Sequence, residues 1–297
     1  MAFVQTNINY ATQYAKELAN AYPYLSHYGD IYGGEMAERY KPVSGKSVAI
    51  PTLTVSGARA VNRNKITGEF NRNFNNEWQI VTMTMDREWD TLIDPMDIIE
   101  TNDVATIANV TKTFNETQKI PEMDAYMTMK LATAATTDSE VLSSDSILGL
   151  WDNYLERLKN ARVAIERVRC YMIPGAYKLL KQAAGISRFI DISGGGERSV
   201  DRNIGGLDGV KIIEVPEDLM MSSYDFTDGW AASGSAKQVN MIFVDPMAVA
   251  APVVYETAMM SPPSAQSKGK YLYYERYFYD VFALDKRKNT ILANVEA

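Results

Sequence analysis

Apolar positions recur along this chain in two periods, two and about 3.6 residues, and the period in use changes with position. Residues 48–55 (VAIPTLTV) have the β-branched composition of a strand. In residues 78–85 (WQIVTMTM), Val81, Met83 and Met85 fall on one side and Thr82 and Thr84 on the other. The two segments are predicted to pair as a long hairpin. Between them, residues 56–77 are polar, rich in Asn and Gly, and carry no periodic pattern. A connection of that length in a compact domain commonly binds a partner.

Helical spacing takes over next. Val104, Ile107, Ala108, Thr111, Phe114 and Gln118 predict a helix over 96–119 with one apolar stripe. Pro121 is expected to break or bend it, or to open a second helix that Met123, Tyr126, Met127 and Met129 carry to Ala135. Ile147, Trp151, Tyr154, Leu158 and Ala161 mark an amphipathic helix over 146–161, with Ser143 or Ser144 as N-cap. Strands are predicted at 168–173, 210–215 and 238–244, with a short helix at 176–184, so residues 143–251 read as a small α+β domain. Two polar, glycine-rich stretches, 193–209 and 221–237, interrupt it and are expected to be mobile loops. Strand character returns at 253–259, 271–279, 281–284 and 290–295. Residues 1–47 are rich in Tyr, Asn and Gly, with helical pattern only at 10–21, and are expected to form an arm lying on something else.

Composition narrows the function. A chain of 297 residues can bury roughly 75% of its extended surface, and 46% apolar with 23% charged residues is ordinary for a folded protein. The net charge of −7 argues against tight nucleic-acid binding, which depends on Lys and Arg displacing counterions. The charge is also segregated. Arg59, Arg63, Lys65 and Arg72 face only Glu69 within 57–73, a net +3, whereas 86–103 holds seven acids against Arg87. In a monomer these are two solvated faces; in a self-assembling protein they are two halves of one repeated interface. The 18 Tyr and 15 Met suit a core and equally suit protein contacts.

Candidate chemistry is thin. His27 and Cys170 are the sole members of their types, and neither HExxH nor CxxC spacing occurs, so no metal or cofactor is expected. A nucleophile elbow of the GxSxG kind is missing, which removes the serine-hydrolase reading. Cys170 lies in a predicted buried strand, where a thiol behaves as a small apolar group. Gly194–Gly196 and Gly205–Gly206 neither follow a strand into a helix nor end in GK[ST], so a phosphate loop is not expected. Pairs such as Asp86 with Glu88, or Asp94 with Asp97, are read as solvated or interface groups in a chain with 37 acids.

The order of elements resembles the major capsid proteins of tailed double-stranded-DNA bacteriophages, the Hong Kong 97-type fold. The similarity is carried by DPMD and TNDVATIANVTKTFNETQKIPEMDAY in the helical region, IGGLDGVKIIEVP entering a strand, NMIFVDPMAV leaving one, and GKYLYYERYFYDVFAL near the end. It implies an α+β fold with an N-terminal arm (1–47), an extended hairpin loop (48–85), a peripheral domain with a long spine helix (86–142 and 252–297), and a central axial domain (143–251). It further implies a non-enzymatic protein that assembles with itself into hexamers and pentamers of an icosahedral head shell, located in the virion and built in the host bacterial cytoplasm. The implied partners are a separate scaffold protein or none, portal and head-completion proteins, and packaged DNA held by weak non-specific contact, with no membrane. Within that frame Arg59, Arg63, Lys65 and Arg72 are expected to lie against Asp86, Glu88, Asp90, Asp94 and Asp97 of a neighbouring subunit. No covalent cross-link through Lys65 is expected. An encapsulin-like compartment is the second reading, and a nucleotide-binding α+β enzyme the third.

Overall fold

A computed structural model describes residues 26–33, 40–44, 46–57, 74–100, 107–183 and 205–296. The loop residues Arg59, Arg63, Lys65 and Arg72 lie outside them, as do 1–25 and 184–204.

After a single helical turn, α1 (Gly29–Tyr32), three strands form an antiparallel sheet: β1 (Lys41–Ser44), β2 (Ser47–Val55) and β3 (Phe74–Thr82). β2 and β3 pair from Ser47 opposite Thr82 to Val55 opposite Phe74, the hairpin that the alternation predicts. β4 (Met85–Ile93) was not anticipated, although its pattern is regular. Met85, Arg87, Trp89, Thr91 and Ile93 turn inward, and Asp86, Glu88, Asp90 and Leu92 face solvent.

Within the stretch 96–119 predicted as helix, the described residues form α2 (Pro95–Glu100) and α3 (Ile107–Phe114), and α3 runs through a π-helical turn, Asn115–Lys119, into α4 (Ile120–Ala134). The chain therefore does not break at Pro121. The Ile120 N–H donates to the Asn115 carbonyl five residues back. That widened turn relieves the clash between a proline ring and the preceding carbonyls. One stripe of this spine, Lys119, Glu122, Tyr126 and Lys130, meets a sheet by polar contacts. Lys119 reaches Glu275, Arg87 reaches Glu122, and Lys130 and Tyr126 reach Asp280.

The remaining elements are β5 (Thr136–Asp138), α5 (Ile147–Asn160), β6 (Arg169–Met172), α6 (Pro174–Gln182), β7 (Gly206–Leu207) and β8 (Val210–Glu214). They continue with β9 (Tyr224–Asp225), β10 (Ala231–Ala232), β11 (Val239–Val244), β12 (Val249–Ala250), β13 (Val253–Ser261), β14 (Tyr271–Tyr279), β15 (Phe282–Ala283) and β16 (Leu292–Val295). Six of the strands make a mixed sheet in the order β5-β16-β11-β6-β8-β7. β11 is buried at every position, and each such Val, Ile, Phe or Met contributes about 1.5–3 kcal/mol relative to exposure. Trp151 and Tyr154 of α5 set their edges on Phe243 on one face of this sheet, while Tyr28 packs on Tyr171 on the other. The strand β16 does not pair with the other strands after residue 252, a stretch expected as a whole to belong to the peripheral part. It pairs with β11 and β5 instead, because Ile291, Leu292 and Ala293 are apolar and the Asn294 side chain bonds Asn240 and the Glu140 carbonyl.

A second sheet, β13-β14-β4, lies under the spine. Its inner rows come from alternate positions, with Tyr273, Glu275, Tyr277 and Tyr279 buried and Tyr277 opposite Arg87. The stretch 221–237 is also corrected, because it folds as the β9/β10 hairpin and is tied down. Arg87 donates to the carbonyls of Phe226 and Gly229, and the Phe226 ring meets Tyr126 edge-on.

β7 and β8 join through Asp208 and Gly209, both at positive φ (52° and 86°), the conformation that Asp-Gly hairpin turns adopt. Gly209→Ala is expected to cost about 1 kcal/mol, because a Cβ is strained there. Urea unfolding would show the loss, and an unchanged midpoint would contradict it.

Candidate interaction surfaces

Two exposed surfaces stand out, one charged and one apolar. The charged one is the outer row of β4. Asp86 receives two hydrogen bonds from Arg276, at 2.9 and 2.7 Å, and one from Lys46 at 2.6 Å. Arg276, helped by Lys46, holds its carboxyl down at about 2. Glu88 accepts from the Tyr274 hydroxyl at 3.2 Å. Asp94 caps α2 by accepting from the Met96 amide at 3.0 Å and faces Lys270 at 3.8 Å. Asp97 is exposed in the first turn of α2, where the helix dipole favours an acid.

The acidic block is therefore uneven. Asp86 and Asp94 have cations of their own chain beside them, and Arg87 points inward to Glu122. Among the described residues, Glu88 and Asp90 form no ion pair and share the solvent row with Leu92. Across the sheet from Asp90 stands Tyr274, and beyond it Met259, which is 58% exposed. The surface on offer is acid flanked by apolar side chains rather than a uniform negative face.

The second surface is on the hairpin. At its base Val48 packs with Met83 and Phe278 in a small core of its own. Away from the base, Val55, Phe74, Trp78 and Ile80 are 65%, 52%, 44% and 63% exposed. Phe74, Trp78 and Ile80 alternate along β3, so they lie on one face, and the register puts Val55 directly opposite Phe74. Lys41 of β1 places its ammonium 5.3 Å from the Trp78 ring. The sequence reading missed this stripe by starting the strand at Trp78 and leaving Phe74 in the loop. The F-x-x-x-W-x-I alternation was the signal available. A row of large exposed apolar side chains on an extended hairpin is a feature of interaction sites.

Neither His27 nor Cys170 belongs to these surfaces. Burial lowers the His27 pKa, against a bond to the Glu214 carbonyl and the pull of Asp218. Cys170 is wholly buried, and its thiol is pushed up by desolvation. Among the described residues no three His, Cys, Asp or Glu side chains are grouped to hold a metal ion, and no helix is long and apolar enough to cross a membrane.

No family model matches the sequence, and no curated protein does. Solved structures do resemble the fold. The capsid of cyanophage P-SCSP1u superposes with a TM-score of 0.61 at 12% identity, covering 86% of this chain and 85% of that one. The mature capsid of bacteriophage PhiM1 gives 0.58 at 11% identity over 85% and 82%. A structure from Gordonia phage Cozz gives 0.56 at 14% identity over 93% and 86%. At such low identity the likeness is one of fold, and the fold is the α+β, Hong Kong 97-type architecture of phage major capsid proteins.

Proposed function

We propose that this chain is the shell-building subunit of a tailed phage head. It assembles with itself into hexamers and pentamers around the packaged double-stranded DNA, and it carries out no catalysis of its own. The observation that carries the reading is the hairpin. A long β ribbon anchored at its base and apolar along its outer face suits a neighbouring subunit better than water, since each large apolar side chain gains about 1.5–3 kcal/mol on full burial. Support also comes from the fold and from the acid-and-apolar row of β4. In this reading the regions 1–47, 48–85, 86–142 with the strands after 252, and 143–251 act as arm, hairpin loop, peripheral and axial parts, with β16 transferred to the axial sheet. Arg59, Arg63, Lys65 and Arg72 meet Glu88 and Asp90 of a neighbour, while Asp86, Asp94 and Asp97 frame that contact. Scaffold, portal and head-completion proteins complete the set of partners, and the site of action is the virion.

Electron microscopy of the purified chain tests this directly, with uniform closed shells as the expected result. The double variant Trp78→Ser with Ile80→Ser should leave the unassembled chain folded, because both side chains already face solvent, yet reduce shell yield at least about tenfold by removing apolar burial. Arg59→Glu with Arg63→Glu should weaken assembly and blunt its salt dependence. Normal shell yield from the hairpin variant, or a chain that stays monomeric in all salt and crowding conditions, would overturn the proposal.

A further inference from the structure

The docking of residues 26–33 depends on a buried acid. Tyr28 is wholly buried, Ile31 and Tyr32 nearly so, and all three enter the main core against α4 and the six-stranded sheet. At one end of the segment, Asp124 of α4 is 1% exposed. Its carboxylate accepts from the Ser26 hydroxyl and from the His27 backbone amide at 3.0 Å. None of these donors is a cation. At the other end Asp30 pairs with Arg169 at 2.6 Å and with Lys211 at 3.1 Å.

We propose that Asp124 is a pH-operated latch, which holds residues 26–33 on the spine helix when its carboxyl is protonated and loosens them when it ionises. A carboxylate buried without a counter-cation carries a desolvation cost that hydroxyl and amide donors offset only in part. The groups facing it are neutral near pH 7. Tyr28 and Tyr32 come from the docked segment and Tyr171 from β6, with Tyr224 of β9 beside Tyr28, and burial raises all four phenols. His27 is kept neutral by its burial, with Asp218 beyond it. Asp30 behaves oppositely: despite desolvation, Arg169 and Lys211 hold its carboxyl low, so that end of the segment stays ionic throughout. Burial accordingly pushes the Asp124 pKa up to about 7.

The sign follows from linkage. A released Asp124 ionises near its ordinary value of 3.8, whereas the docked one holds its proton up to about 7. Docking is therefore strongest in acid, weakens about tenfold per pH unit as pH rises between those two values, and is level above them. His27 works against this below about pH 6.5, because protonating a buried imidazole disfavours docking. A variant comparison separates the two. The latch goes beyond the shell reading and stands without it, since it lies within one chain.

Hydrogen exchange of the 297-residue chain tests it through the amides of Ile31, Tyr32 and Gly33, which bond the carbonyls of Tyr28 and Gly29. Their protection, corrected for intrinsic rate, should fall about 25-fold more in the wild type than in Asp124→Asn between pH ~5.5 and ~7.5. Equal pH dependence in the two proteins would overturn the proposal. Should the variant fail to fold, the ¹³Cγ shift of Asp124 in the wild type decides: titration near neutrality supports the latch, and titration below about pH 5 rejects it.

Discussion

Lys119→Ala is expected to destabilise the unassembled chain by about 3–5 kcal/mol. The Lys119 ammonium sits 2.8 Å from Glu275, with side-chain exposures of 0% and 4%. The Tyr273 hydroxyl donates to the other Glu275 oxygen at 2.7 Å, and the Tyr277 ring lies 3.9 Å from the ammonium. Burial pulls the Lys119 pKa down while Glu275 pushes it back. Removing the lysine leaves a carboxylate in a dry, aromatic site with one hydroxyl donor among these contacts. The pair is not required for stability as such, because desolvation consumes most of the Coulomb gain. The double variant Lys119→Met with Glu275→Leu is thus expected to recover all but about 1 kcal/mol of the loss. Urea unfolding of the four proteins gives the coupling directly, and a single variant within about 1 kcal/mol of the wild type would show that water reaches the pair.

Trp151→Ala should cost a similar amount, about 3–5 kcal/mol, for a different reason. Its indole is fully buried, with its ring edge-on to Phe243 at 4.7 Å, and its N–H donates to Asp208 at 3.2 Å. Alanine would open a cavity at the junction of α5 with β11 and would also release the residue that starts the β7–β8 turn. Trp151→Phe keeps most of the volume and loses the hydrogen bond, so about 1–2 kcal/mol is expected. Thermal unfolding of the two variants separates packing from polar contact. Equal losses would mean that the hydrogen bond, not the ring, fixes α5.

Both sites sit where the sequence reading was least informative. Lys119 appeared there only as the end of a predicted helix, and Glu275 as a polar residue in an aromatic strand. Their meeting joins positions 156 residues apart, which local periodicity does not encode. The strands at 48–55, 210–215, 238–244 and 271–279 were legible because β-branched and aromatic runs carry their own period. β4 is not legible in the same way because its solvent row holds Asp86, Glu88 and Asp90, so the segment shows a run of acids rather than an apolar strand signal. The acidic block was read as one face, yet the pleat of β4 sends Arg87 inward and Asp86 outward to Arg276. A count of charges along the chain cannot see either partner.

Local chemistry fixed what depends on neighbours a few residues away. This includes the hairpin, the amphipathic α5, the largely apolar run of β11 and the Asp-Gly turn. Tertiary structure alone decided that Pro121 continues a helix through a π-turn, that β16 joins the six-stranded sheet, and that 221–237 docks on Arg87. It also decided which apolar residues of the hairpin face solvent and that Asp124, among the described residues, is buried against hydroxyl and amide donors with no cation beside it. These outcomes turn on burial and on partners brought together from distant parts of the chain, and the free energy of a charge or an apolar side chain is set by that surrounding rather than by its place in the sequence.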